Sequence, residues 1–152
     1  MLDVSPKGDP AGFVKVLDHK TLVIPDRLGN QRLDSFMNLL SNPAVALIFI
    51  IPGNTETLRV AGTGRVVRDQ ELQKRLAVNG KEPVLCLVVN VHEAFMHCPK
   101  AMVRSKIWKP EEWPDRSHVP TMMESVKANA QAAESVEELQ RREDFITANR
   151  LY

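Results

Sequence analysis

Long apolar runs are missing from this 152-residue sequence. The longest, Ala44 to Ile51, falls far short of the ~20 residues a helix needs to cross a bilayer. The amino terminus does not read as a charged-then-apolar leader either, so a cytoplasmic protein is expected. Charge of one sign is equally scarce. Twenty Lys and Arg against nineteen Asp and Glu leave a formal charge of +1, which gives no global field to hold nucleic acid or an anionic membrane. Two cysteines are too few for a disulfide framework, and both Cys86, inside an apolar run, and Cys98, after a histidine, are read as reduced thiols. Repeats, low-complexity stretches, a P-loop, a dinucleotide-binding glycine fingerprint and a serine-hydrolase elbow are all absent. What remains is a chain about one domain long, with 43% hydrophobic and 26% charged residues, as in an ordinary globular protein.

The first half is written in short segments rich in Val, Ile, Leu and Thr: Phe13 to Leu17, Thr21 to Ile24, Ala44 to Ile51, Thr57 to Val67 and Val84 to Val91. Turn residues separate them, including Asp18-His19 and Pro52-Gly53-Asn54, and the joins are short enough to imply antiparallel meander connections. Ala44 to Ile51 is apolar throughout, which predicts a strand covered on both faces. Gly62 and Gly64 predict a bend or a close backbone approach in the fourth segment. Helices are predicted around Leu33 to Leu40, with Asn30 as cap and Pro43 as stop, and over Asp69 to Ala77. After Pro110 the composition shifts. Thr121 with Glu124 and Ser135 with Glu138 are capping-box patterns, and Val136, Leu139, Phe145 and Ile146 are the candidate apolar contacts of a helical tail. The expected division is a β domain over residues 1–113 and a helical extension over 114–152, packing on the barrel or on a partner.

Three stretches hold residues able to carry chemistry. In IPDRLGNQRLDS, residues 24–35, a strand end meets a Gly-Asn turn and a helix start. Free N–H groups at a helix start, together with Arg27 and Arg32, suit a phosphate, and Asn30 and Ser35 would complete the cradle. The plainer alternative is that both arginines are solvated and Asn30 only caps the helix. In LDVSPKGDP, residues 2–10, a strand end and a proline-containing turn hold Lys7 in place; it is either a ligand-facing cation or a surface turn lysine. In FMHCPKAMVRSKIWKPEEW, residues 95–113, His97 and Cys98 end a strand, and Lys100, Arg104, Lys106 and Trp108 are expected on one short helix. Adjacent His and Cys make a poor metal site because neighbouring side chains rarely point at one ion. Cys98 as a nucleophile would need His92 or His97 to converge on it in space. Trp108 and Trp113 suit either a planar ring or a core anchor.

Taken in order, VSPKGDP, VIPDRLGNQRLDSFMNLLSNPAVALIFIIPG, ETLRVAGTGRVV and HCPKAMVRSKIW resemble the pyridoxamine 5′-phosphate oxidase-like FMN-binding family, over residues 2 to about 113. The resemblance implies a mainly β fold with flanking helices: a six-stranded split β-barrel that dimerises face to face, with FMN bound non-covalently in grooves made by both subunits. By position it implies that Lys7 meets the flavin ring. Pro25, Asp26 and Arg27 then line the cofactor, and Arg32 and Ser35 lie near the phosphate, although the family's adjacent Arg-Lys pair is absent here. Thr57 and Arg59 approach the ring from the partner subunit, and Arg104 and Trp108 are late basic and aromatic contacts. Met1 directly precedes the LDVSPKG segment, so the family's first barrel strand is expected to be missing and FMN affinity weakened. The vitamin oxidase's own substrate-binding signature is not recognisable. The implied activity is that of a flavin-dependent oxidoreductase with a small-molecule redox substrate; the alternative is a non-catalytic module for flavin, the deazaflavin F420 or haem.

Overall fold

The computed structural model describes residues 3–29 and 32–150. Five strands, β1 (Lys15–Asp18), β2 (Thr21–Pro25), β3 (Ala44–Phe49), β4 (Thr57–Val67) and β5 (Cys86–His97), form one antiparallel sheet in the order β1-β2-β5-β4-β3. The sheet is therefore not a plain meander. Helix α1 (Asp34–Ser41) carries the chain from β2 to the far edge, and β5 returns to fill the gap beside β2. Helix α2 (Gln70–Arg75) joins β4 to β5, and α3 (Lys100–Ser105), α4 (Met122–Ala130) and α5 (Val136–Asn149) follow the sheet. Two compact units divide the chain, one ending at Trp108 and one beginning at Lys109.

Alternation along the strands sends buried side chains to both faces of the first unit. Val23 pairs with Val88, and these two, with Cys86 and Leu76, form one cluster. Ile24 pairs with Leu87, and these pack with Val89 and Phe36 of α1 on the opposite face. Each cluster excludes water from four or more apolar side chains, and full burial of one such side chain is worth about 1.5–3 kcal/mol. Helix α2 follows a good cap, Asp69, whose carboxylate accepts from Leu72 N at 3.0 Å.

Several expectations shift. β1 starts at Lys15 and β3 ends at Phe49, while β5 runs on to His97, six residues past the predicted end. β3 is not covered on both faces: Ala44, Ala46 and Ile48 are exposed while Val45, Leu47 and Phe49 are half-buried. Among the described residues it is an edge strand beside β4, and its Val45–Leu47 side meets the core. Residues 3–9 form no strand; Pro6 and Pro10 lack the N–H that a ladder uses. Helix α1 begins at Asp34 with Leu33 in the cap position and no side-chain cap. The predicted cap, Asn30, lies outside the described residues. The close approach expected at the glycines does occur. Between Val91 and Glu93 of β5, His92 is an extra residue opposite the Ala61–Gly62 step, and a Cβ on Gly62 would sit 2.0 Å from the Asn90 carbonyl oxygen.

In the second unit both capping boxes form, Thr121 with Glu124 and Ser135 with Glu138, and α4 packs on α5. Met123 and Leu139 are its buried apolar side chains, whereas Phe145 is 60% exposed and takes no core role. The Lys127 ammonium donates to the carbonyls of Ala132 at 2.6 Å and Glu134 at 2.9 Å, closing the turn between the helices.

Candidate functional site

β2 ends where its ladder runs out. Pro25 pairs with Cys86, and one more backbone bond, Asp26 N to Leu85 O at 2.9 Å, fixes the chain before it turns away. Residues 3–9 lie alongside this strand end and meet it at three points. Lys7 Nζ is 3.0 Å from Asp26 Oδ1 and 5.2 Å from the centroid of the Phe36 ring. Arg27 Nε donates to Asp9 Oδ2 at 2.6 Å, and its Nη2 donates to the Leu76 carbonyl at 2.7 Å. Ser35, in the first turn of α1, donates to the Asp3 carboxylate. The Asp9–Arg27 pair is nearly dry, with side chains 1% and 15% exposed; such a pair weakens sharply if one partner is lost. Arg32 stands outside this set, 73% exposed and 2.7 Å from Asp34. A cleft of about 480 Å³ opens beside the cluster, with Asp26, Arg27 and Leu28 on one side and Lys81 to Val84 on the other. That volume lies within the range of about 300–1,000 Å³ usual for small-molecule sites.

The other candidates sit elsewhere. Thr57, which is buried, pairs with His97 at the far end of the sheet, and Arg59 pairs with Phe95, its guanidinium 5.9 Å from the ring centroid. Trp108 Nε1 donates to the Asn54 carbonyl at 2.6 Å. Arg104 is exposed in the last turn of α3. Helix α3 stops at Ser105, and Lys106 takes a left-handed φ of 54°, so Lys106 and Trp108 are not on the helix with Lys100 and Arg104. Pro25 shares a row of the sheet with Cys86 and Val67, and Val67 is ten residues along β4 from Thr57. At about 3.3 Å per residue, roughly 33 Å separates the two groups. One chain brings Lys7, Pro25, Asp26, Arg27 and Ser35 together. It does not bring Thr57, Arg59 or Trp108 to them.

The strand-end cluster is a set of oxyanion donors. A lysine, an arginine and a hydroxyl near a helix start hold carboxylates there, and the same donors suit phosphate oxygens. The acceptors they hold were not foreseen. Asp3, Asp9 and the cleft wall Lys81 to Val84 lie 18 or more residues from their partners, a separation that leaves no periodic trace in sequence. Phe36 lies in the helix predicted around Leu33 to Leu40, and it packs in the core beside Ile24, Leu87 and Val89. Among the described residues no cluster of three His, Cys, Asp or Glu side chains is placed to hold a metal. Burial pushes the Cys86 thiol up from its ordinary value, which keeps it protonated beneath the strand end, while Cys98 is exposed.

Comparison with known proteins completes the picture. The family model described as pyridoxamine 5′-phosphate oxidase matches residues 3–98. The chain belongs to this family. Its five-stranded antiparallel sheet with flanking helices is accordingly a mainly β fold of the split-barrel type, a flavin-type binding fold whose members commonly bind flavin. Solved structures of tagged HupZ from Group A Streptococcus are similar at 16% identity. One, a variant, covers 56% of this chain and 73% of its own, with a TM-score of 0.47; the other covers 55% and 68%, with a TM-score of 0.46. No curated protein matches the chain. Among the described residues no helix is long and apolar enough to cross a membrane.

Proposed function

We propose that the chain binds FMN at the end of β2 and acts as a flavin-dependent oxidoreductase in the cytoplasm, as a homodimer in which each site draws on both copies. The observation that carries this reading is the split of the candidate residues between opposite ends of one sheet. Lys7, Pro25, Asp26, Arg27 and Ser35 belong to one end, and Thr57, Arg59 and Trp108 to the other. A two-fold dimer can bring unlike ends of identical chains together, and the face that would meet the second copy carries exposed apolar side chains, Ile48 at 57% and Phe95 at 43%, on either side of Arg59.

When bound, FMN supplies the redox chemistry, hydride transfer at its N5. The chain's contribution is position and charge. Lys7 has ammonium donors beyond the one given to Asp26, and it can face the N1–C2=O edge, where reduction leaves negative charge. Arg27, Arg32 and Ser35 are suited to the phosphate. No side-chain acid or base is needed for this chemistry. Free thiols at Cys86 and Cys98 accord with a reducing compartment.

The test is titration of the full chain with FMN, followed by flavin fluorescence, and then stopped-flow reduction by NADH or NADPH and reoxidation by oxygen or a quinone. The expected result is a yellow protein that bleaches and recovers. A chain that takes up no FMN sinks the reading, and tight binding without electron acceptance leaves only a flavin-holding module.

A further inference from the structure

Residues 3–9 lie across the strand end as an irregular strap that offers an alternating set of charges. Asp3 accepts from Ser35, Lys7 meets Asp26, and Asp9 takes the Nε edge of Arg27 at 2.6 Å. The Asp3 and Asp9 contacts each place a carboxylate on a donor that the FMN reading gives to the phosphate, while Lys7 is held by Asp26 of the strand end. Carboxylate and phosphate oxygens accept from these donors in the same way, so the two compete. We propose that the strap is autoinhibitory: Asp3 and Asp9 occupy the anion positions of the flavin site, and a phosphate-bearing flavin enters only by displacing them. The proposal rests on the FMN reading.

The two carboxylates differ in grip. Asp9 is held in a nearly dry pair, while Asp3 is exposed at the start of α1. Asp9 therefore contributes the larger part of the barrier. A flavin without a phosphate has no claim on these donors, so the strap sets a preference that riboflavin does not feel.

The experiment measures FMN and riboflavin affinity by fluorescence quenching for the wild-type chain, Asp9→Asn and Asp3→Asn. Asn keeps the shape and a carbonyl acceptor while removing the competing charge. The strap predicts FMN binding tightened about tenfold by Asp9→Asn, as expected for removal of one charge-assisted contact, and by a smaller factor by Asp3→Asn, with riboflavin unchanged in both. Should Asp9→Asn fail to fold, Asp3→Asn, at an exposed position, carries the decision alone. Equal FMN affinity in all three proteins, or weaker binding in the variants, overturns the strap and leaves flavin binding standing. Absence of any flavin binding in all three overturns the FMN reading and the strap with it.

Discussion

Strands β4 and β5 pass through two different environments. At the β2 end Cys86, Leu87, Val88 and Val89 are all buried, between α1 on one face and Leu76 on the other. Beyond His92 the same strand is exposed at every position to His97, although its pairing with β4 continues to Thr57. The inner half of β5 pairs with both β2 and β4 and the outer half with β4, and the cover differs as well. The inner half has its own core, whereas in the outer half Thr57 and Val60 are buried and Ile48, Phe95 and Met96 are exposed.

That contrast breaks most visibly under truncation of core residues. Replacing Ile24 with Ala should cost about 3 kcal/mol, the usual loss for a buried aliphatic, read as a lowered midpoint in urea unfolding. Ile48→Ala in the outer half should cost about 0.5 kcal/mol or less at protein concentrations where the chain is monomeric. Comparable losses at the two sites would end the distinction between halves.

The boundary between the halves is the next test. Ala at Gly62 would drive a Cβ into the Asn90 carbonyl and should cost about 2 kcal/mol through forced backbone movement. Gly29, with open space around it, should accept Ala with little change, and thermal melts of the two variants decide. In the second unit, Ser135→Ala removes a cap and should cost about 1 kcal/mol. Glu124 and Glu138 accept from backbone N–H groups, which hold both carboxyls below the usual glutamate range. Because the folded value is the lower one, their contribution is full above the ordinary range and fades as pH falls through the depressed values. Helix content followed by circular dichroism on acidification should show this loss, and Ser135→Ala should blunt it.

The smallest effect on stability should accompany the largest on assembly. Ile48→Asp places a charge in the bare outer face and should leave the urea midpoint of the monomer unchanged while light scattering reports a monomer where the wild type is a dimer. A dimer that survives this change would put the partner elsewhere.

How much of this was legible in sequence follows the same division. β4 was readable end to end because Val and Thr recur from Thr57 to Val67 with no proline or Asn-Gly turn between them. α2 was readable from Asp69, and the tail helices from their capping boxes, because caps are local signals. β5 beyond Val91 was not, since His92 and Glu93 interrupt the apolar pattern and only β4 holds them in the sheet. Lys7, Asp26 and Arg27 were singled out as site residues, and the fold does gather them. Their partners Asp3 and Asp9 were invisible, because contacts across 18 and 32 residues depend on tertiary placement alone. Ala44 to Ile51 misled in one respect: uniform apolarity predicted a strand covered on both faces, but Ala44, Ala46 and Ile48 are exposed.

The central claim is that one flavin site needs both ends of the sheet and hence two chains. Subunit mixing tests it directly. Lys7→Ala and Arg59→Ala chains should each bind FMN poorly alone, and after mixing and exchange roughly a quarter of the wild-type sites should return, the share in which both intact ends meet by random pairing in two-fold dimers. No recovery on mixing, or full binding by either variant alone, would contradict it.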